Sequence, residues 1–340
     1  WARLSRPARR AFAIGAALLL AAAAVARAGF ARRPDGRLRV AVLAVNYGSA
    51  VLIRTPGGKN IVVDSGHVQT DRARRNEAEW TILPYLSARG TSSLEALILT
   101  APAGERALGA PSLLRHLRIG RVISPATMSR APELDAAIRR RAGGFWNRLA
   151  GATLRDEPVS GARVLFEENG PGGAFRIEAR TVGDSPLLMV RVQYGNFALL
   201  LPSDLPLAQQ PELVERPEAR EELRSNVVLA PSRGVYLDGT DPAAAERIAR
   251  AFYTATGATD VIFEFGNPRP ALGESTRAAL ESHGRHRRLA EDLFGREHVF
   301  VTERDGAIQI ESDGVRWSLR PTVGTAADEE GDPAGLDFGI

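Results

Sequence analysis

Short apolar runs rich in β-branched residues recur along this chain, and helical segments alternate with them in two successive blocks. The first block is predicted to hold the following elements (strands 38–45, 50–55, 60–65, 94–99 and 121–124; helices 76–90, 107–118 and 132–149). The second block repeats that order (strands 163–168, 175–182, 187–194, 197–201, 226–229, 260–265, 299–302, 307–311 and 315–320; helices 205–223, 242–256 and 274–283). Strands followed by alternating helices and strands, twice over, predict an α/β fold in which two sheets pack face to face with helices outside.

Composition limits the functional classes. The chain has 340 residues, 44% hydrophobic and 25% charged, and no cysteine, which excludes disulfides and thiolate metal ligands. The net charge of +4 is unevenly spread, since residues 1–39 carry +8, residues 321–340 carry −5 and residues 40–320 carry only +1. A nucleic-acid-binding domain usually has its own basic surface, so this near-neutral body does not favour DNA contacts.

The N-terminal residues 1–36 are predicted to form a hydrophobic anchor flanked by arginines. The apolar run at 11–26 is short for a membrane span, which needs about 20 residues, but extension to Phe30 would suffice. One hypothesis is a last transmembrane helix, which a first residue other than methionine favours. The other is a secretory signal cleaved after Ala28. Arginines on both sides leave the orientation open. The acidic residues 321–340 are predicted to be disordered.

Two loops are candidate ligand sites. The turn 56–59 (Pro-Gly-Gly-Lys) joins two predicted strands and lacks the spacing of a phosphate-binding loop, so it predicts a hairpin and no nucleotide cofactor. The stretch 99–110 (LTAPAGERALGA) connects a buried strand to a helix, where α/β sheets usually place their chemistry. Yet the only ionisable residues in it are Glu105 and Arg106.

Four segments in order resemble one family. They are the opening strands, a helix-to-strand passage, a hairpin and the closing strands (38–66, LRVAVLAVNYGSAVLIRTPGGKNIVVDSG; 82–100, ILPYLSARGTSSLEALILT; 193–205, QYGNFALLLPSDL; 304–314, RDGAIQIESDG). Together they resemble the C-terminal metallo-β-lactamase-like domain of ComEC-type DNA-uptake (competence) proteins. The resemblance implies a four-layer αββα sandwich over residues 37–320, preceded by a membrane helix.

The resemblance also implies a metal site, and this sequence has lost its ligands. The family loop reads His-x-His-x-Asp-His, whereas Ala101, Ala103 and Arg106 stand at the histidine positions and Glu105 at the aspartate. A family aspartate in the opening turn is replaced by Ser49, and the family's Gly-Asp pair keeps only its acid, Asp204. The family's Pro-His-His-Gly becomes 231–234, with Ser232 and Arg233 at the histidine positions. The expected site is therefore degenerate, without metal or cofactor.

Other chemistry remains open in the sequence. Asp64, Glu105 and Asp204 are weak candidates for holding zinc or another divalent cation, or magnesium as a hard cation. The alternative is that Asp64 caps backbone groups and Glu105 pairs with Arg106. The histidines are predicted to be packing or surface residues, two of them in an exposed-looking HGRHRR run (His67, His116, His283, His286 and His298). The basic runs 139–141 and 285–288 predict solvated helix faces, with phosphate contact as the alternative.

Three functions follow from these features. The first is a catalytically inactive domain at the cell membrane, on its extracytoplasmic side, which acts as a scaffold or interaction module beside a DNA-uptake channel or its DNA. The second is a metal-dependent, nuclease-like hydrolase with an altered ion site. The third is a secreted binding protein.

Overall fold

The computed structural model describes most of the chain between Pro34 and Val323. The described ranges are 34–46, 48–68, 76–101, 106–143, 154–183, 186–236, 239–265 and 274–323. The predicted anchor up to residue 33 and the tail from residue 324 lie outside them, as do Ala103 and Glu105. Among the residues described, no helix is both long enough and apolar enough to cross a membrane.

The first sheet has eight strands in the order β15-β14-β1-β2-β3-β4-β5-β6. The strands from β15 to β3 pair antiparallel, whereas β3, β4, β5 and β6 run parallel. Its strands have these bounds: β1 Leu38–Val42, β2 Val51–Arg54, β3 Asn60–Val63, β4 Ser93–Ile98, β5 Arg118–Pro125, β6 Arg155–Val159, β14 Ile308–Ser312 and β15 Trp317–Pro321.

The second sheet has seven strands in the order β13-β12-β11-β10-β9-β8-β7. Here β7 to β10 pair antiparallel and β10 to β13 run parallel, so both sheets are antiparallel on one side and parallel on the other. Its strands have these bounds: β7 Ala162–Gly170, β8 Gly173–Thr181, β9 Leu188–Tyr194, β10 Phe197–Leu201, β11 Val227–Leu229, β12 Asp260–Phe263 and β13 Val299–Val301.

Eight α-helices are described, along with several shorter turns of helix. Their bounds are α1 Leu83–Ala88, α2 Ala110–His116, α3 Pro132–Gly143, α4 Gln210–Glu215, α5 Pro217–Leu223, α6 Pro242–Thr256, α7 Glu274–Phe294 and α8 Thr302–Asp305. A π-helical turn, Ala78–Ile82, precedes α1, and 3₁₀ turns occupy Leu207–Gln209, Pro231–Gly234 and Arg296–His298.

Three buried apolar clusters define the layers. The central cluster lies between the sheets and takes residues from both, such as Ile53 of β2 and Val190 of β9. A second cluster packs α1, α2 and α3 on the outer face of the first sheet, through residues such as Leu113. A third packs α4 to α7 on the second sheet and includes the fully buried Phe252. The layers therefore run helix, sheet, sheet, helix, and the predicted α/β class with two facing sheets and outer helices is confirmed.

Several predicted boundaries were wrong. The strand β6 was missed, because its sequence RDEPV is charged, mostly exposed and contains a proline, features typical of an edge strand rather than a buried one. The helix predicted over 274–283 continues to Phe294. Gly284 lies inside it, but one glycine destabilises a helix by only about 1 kcal/mol relative to alanine, which is too little to end the helix. The helix predicted over 132–149 is described only to Gly143.

One glycine sets the approach of α2 to the loop that follows β3. A Cβ atom on Gly109 would lie 2.1 Å from the backbone oxygen of Ser65, so only glycine allows this contact. The same two segments are joined where the Ser65 backbone N–H donates to the Arg106 carbonyl oxygen at 2.7 Å. This contact fixes the backbone at Arg106, which carries the central charge of the site.

Candidate functional site

The parallel strands of both sheets end at one place between the sheets. Asp64 follows β3 and Thr100 lies just after β4 in the first sheet, while Ser203 and Asp204 follow β10 and Glu264 follows β12 in the second. Loops at the carboxyl ends of parallel strands are where α/β sheets usually place polar groups. We call these residues, together with Arg106 and Ser49, the central cluster.

Arg106 is the only cation of the central cluster, and it is surrounded by carboxylates. Its side chain is 4% exposed. Its Nη1 atom lies 3.0 Å from Oδ2 of Asp64 and 3.7 Å from Oε2 of Glu264, and its Nη2 atom lies 2.9 Å from Oδ1 of Asp204. One guanidinium therefore bridges three acids that belong to loops of both sheets.

Asp64 is held by the backbone as well as by Arg106. Its two carboxylate oxygens accept the Thr100 backbone N–H at 2.8 Å and the Thr100 hydroxyl at 2.7 Å. The Thr100 hydroxyl also lies 2.8 Å from the Ser203 hydroxyl, which links the two sheets through neutral groups. A buried carboxylate needs several such donors, because burial without partners costs several kcal/mol.

Glu264 was not predicted from the sequence. It is buried, and the Ser49 hydroxyl donates to its Oε1 atom at 2.6 Å. The sequence does carry a signal for Glu264 as a site residue, because an acid directly follows the wholly buried strand β12. Ser49 stands where the family resemblance places an aspartate, and here it serves as a donor to the new acid.

The pKa values follow from burial and from the guanidinium. Burial raises the pKa of Asp64, although Arg106 and the two Thr100 bonds oppose this. Burial likewise raises the pKa of Glu264 to about 6, against the opposing effect of Arg106. For Arg106 burial lowers the pKa, but the charges of Asp204, Asp64 and Glu264 outweigh it and raise the pKa above its ordinary value. Arg106 is thus charged at every pH of interest.

Backbone strain is concentrated at this centre. Among the described residues, the non-glycine residues with positive φ are Asp64 (62°), Ser203 (60°), Ser232 (48°) and Arg233 (58°). The first two belong to the central cluster, and the Ser232 backbone N–H donates to the Ser203 carbonyl oxygen at 3.0 Å. Each such conformation costs about 1–3 kcal/mol and usually marks a functional site.

The described residues leave almost no room beside the guanidinium. The cavity that they enclose there has a volume of about 10 Å³, enough for about one water molecule. Its walls come from the central cluster and from apolar strand ends such as Val63 and Leu229.

The donor set does not fit a divalent metal ion. The carboxylate oxygens of Asp64, Asp204 and Glu264 that would bind one are directed at the guanidinium of Arg106. Across the described part of the chain, no three side chains of His, Cys, Asp or Glu are arranged to hold a metal. A permanent positive charge among the candidate ligands also repels a second cation.

The structure brings together some of the residues that the sequence singled out. Asp64, Arg106 and Asp204 meet, and Arg233 is close enough for its charge to lower the pKa of Glu264. Ala101 is buried just after β4 and offers no ligand atom. Ser232 is directed elsewhere, since its hydroxyl donates to the Leu205 carbonyl oxygen. Ala103 and Glu105 lie outside the described residues, so the predicted pairing of Glu105 with Arg106 remains a prediction.

The HGRHRR run is not exposed at its histidines, contrary to its appearance in the sequence. His283 is buried and stacks on the ring of Phe265 at a centroid distance of 3.8 Å, and its Nδ1 atom lies 3.1 Å from the Arg233 carbonyl oxygen. His286 is buried between Tyr236 and Tyr253. Both are packing residues, because the helical spacing of three turns them toward the second sheet.

Comparison with known proteins finds similarity at the level of structure only. No protein family and no curated protein matches the sequence. The similar solved structures include a diphosphatase of the PhnP family, with 10% identity over 83% of this chain and 99% of that chain and a TM-score of 0.42. A variant of the β-hydroxylase CmlA has 13% identity over 80% of this chain and 53% of that chain, with a TM-score of 0.48. A metallo-β-lactamase superfamily protein from Sulfolobus tokodaii has 14% identity over 75% and 98%, with a TM-score of 0.36.

Replacement of Arg106 by alanine is predicted to destabilise the protein strongly. Two of the three carboxylates, Asp64 and Glu264, would then be buried without their cation, which costs about 3–5 kcal/mol of unfolding free energy. Urea unfolding measures this. R296A is the matched control, because the Arg296 side chain is 88% exposed, and it should change the free energy by no more than about 0.5 kcal/mol.

Adding D64N and E264Q to R106A should recover part of the loss, since asparagine tolerates the positive φ at Asp64. Equal stability of R106A and R296A would contradict the prediction.

Stability is predicted to fall as the pH decreases from 6.5 to 4. Burial lowers the pKa of both His283 and His286 to about 4, so the unfolded chain takes up protons in this range that the folded chain excludes. The raised pKa values of Glu264 and Asp64 act in the opposite direction, so the loss is smaller than the several kcal/mol that two histidines with pKa values of about 4 would give alone.

Urea unfolding at pH 7 and pH 5 checks this pH dependence. The substitution H286F should reduce the dependence of stability on pH, because phenylalanine fits the same aromatic surroundings and has no group that binds a proton. H116Q, at an exposed histidine, is the control and should leave the slope unchanged. An H286F slope equal to that of H116Q would show that the buried histidines are not responsible.

Proposed function

We propose that residues 37–320 are a metallo-β-lactamase-like domain that has lost hydrolysis and acts as a membrane-associated interaction module of a ComEC-type DNA-uptake system. The observation that carries the proposal is the guanidinium of Arg106 among Asp64, Asp204 and Glu264. By resemblance, this is the position at which family members hold the ions that activate water. A guanidinium supplies positive charge but has no coordination site for water and does not generate a hydroxide.

The loss of activity is supported by the set of replaced residues. Alanine at 101 has no lone pair, and Ser232 and Arg233 cannot supply the two imidazoles that the family motif carries there. The backbone near these positions is strained, with positive φ at Asp64 and Ser203. Strained backbone of this kind usually marks a functional site, which supports descent from a metal site that the chain now uses structurally.

The role beside a DNA-uptake channel rests on the ordered resemblance and on the apolar run at 11–26. That run supports attachment to the membrane, and the proposal places the domain on the extracytoplasmic side. The near-neutral charge of residues 40–320 favours protein contacts over extensive DNA contacts for the body of the domain.

The proposal is tested on the full chain, expressed in bacteria and recovered from the membrane fraction with a neutral detergent. We expect an intact N-terminus, substoichiometric zinc, manganese and magnesium by elemental analysis, and no hydrolysis of single- or double-stranded DNA when these ions are added. The matched variant D204A should behave identically in all assays.

Three outcomes would contradict the proposal. Stoichiometric metal with DNA hydrolysis that D204A abolishes would establish the altered-ion hydrolase instead. A soluble exported chain that begins at Gly29 would establish the secreted binding protein. Retention of hydrolysis in D204A would show that an active site exists elsewhere in the chain.

A further inference from the structure

A second cavity, on the outer helical layer, has a different character from the central cluster. It is a groove of about 400 Å³ between α2 and α3, and it shares no residue with the central cavity. Its lining combines apolar and basic side chains (Pro111, Leu114, Arg115, Ala137, Arg140 and Arg141). Small-molecule sites usually have volumes of about 300–1,000 Å³, so the groove is large enough for one.

The groove is strongly basic. Three of its lining residues are arginines, and none is acidic. Arg115 has one weak carboxylate contact, with its Nη1 atom 3.6 Å from Oε1 of Glu79, and that oxygen already accepts the Ser112 hydroxyl at 2.7 Å. Arg140 is exposed and forms no ion pair with the other described residues. The lining residues of the groove therefore carry three positive charges and no negative charge.

One of the three guanidinium groups is held in place. The Nε atom of Arg141 donates to the Leu114 carbonyl oxygen at 2.8 Å, and its Nη2 atom donates to the Leu117 carbonyl oxygen at 2.7 Å. These acceptors are carbonyl groups near the end of α2, where a cation is favoured. A guanidinium fixed in this way loses little entropy when an anion binds to it.

The size of the positive charge indicates which anion fits. A carboxylate carries one negative charge, whereas a phosphate monoester carries about −1.5 to −2 at pH 7 and has three acceptor oxygens for the planar arginine forks. The groove also has an apolar floor, formed by Pro111, the buried Leu114 and the buried Ala137. A bare inorganic ion would leave that floor uncovered.

We propose that the groove between α2 and α3 binds an organic phosphate, with the phosphate group on Arg115, Arg140 and Arg141 and the carbon body on the apolar floor. The sequence left the run 139–141 open between a solvated helix face and a phosphate contact. The structure separates its members, because Arg140 and Arg141 line the groove and Arg139 does not.

The test measures binding to the full chain in neutral-detergent micelles. The soluble probe is glycerol 3-phosphate, followed by calorimetry, and the lipid probe is phosphatidic acid added to the micelles, with phosphatidylcholine as its control. We expect saturable binding of at least one phosphate probe, which R140A or R115A weakens by roughly tenfold, the effect of one charge-assisted hydrogen bond. The matched control R139A should change the affinity by no more than about twofold, as expected for a surface substitution.

The two probes distinguish the sources of the phosphate. Binding of glycerol 3-phosphate, or of both probes, with the R140A effect supports the proposal for a soluble ligand. Binding of phosphatidic acid alone, with the same effect, supports it for a lipid headgroup. Absence of binding by either probe, or an equal loss in R139A and R140A, would overturn it. None of these outcomes tests the proposed loss of hydrolysis at the central cluster, because the groove and the central cavity share no residue.

Discussion

The buried charge balance at Arg106 is the interaction on which this structure depends. Two sheets meet where their parallel strands end, and the loops there carry three acids, Asp64, Asp204 and Glu264. Without a cation these acids would repel one another in a medium that screens charge poorly. The guanidinium supplies that cation from the chain itself; it hydrogen-bonds to Asp64 of the first sheet and forms ion pairs with Asp204 and Glu264 of the second. Burial of charge is tolerated only with this kind of geometry, since removal of one partner leaves the others uncompensated.

A tethered cation differs from a bound metal ion in ways that bear on function. Its charge is permanent and its donors are fixed by the backbone, so the fold needs no ion from solution. In exchange it has no coordination site at which a water molecule could be converted to a hydroxide. The strained backbone at Asp64 and Ser203 stays in the conformation that presents polar groups to this point. The described geometry thus gives this site a buried positive charge that comes from the chain itself.

The sequence predicted the layered arrangement of sheets and helices better than it predicted the side-chain contacts of the site. The order of strands and helices follows from apolar periodicity, which is local, and it led to the observed two-sheet arrangement. Asp64 and Asp204 were found because each follows a strand within a matched motif. Glu264 was missed, since its convergence with Arg106 depends on pairing between β12 and β11, which no local pattern encodes. The sequence left His283 open between a packing and a surface position, because the arginines around it indicate an exposed helix and only tertiary packing reveals its inner face.

The most direct measurement is the thermal unfolding midpoint of R106A as millimolar methylguanidinium is added, with the unsubstituted protein in parallel. Truncation to alanine leaves space between the carboxylates for a free guanidinium group. The account predicts a saturable increase of the midpoint in R106A and no increase in the unsubstituted protein, whose site is filled by its own side chain. No increase in R106A, or the same increase in both proteins, would contradict the claim that a buried guanidinium is the structural cation of this site.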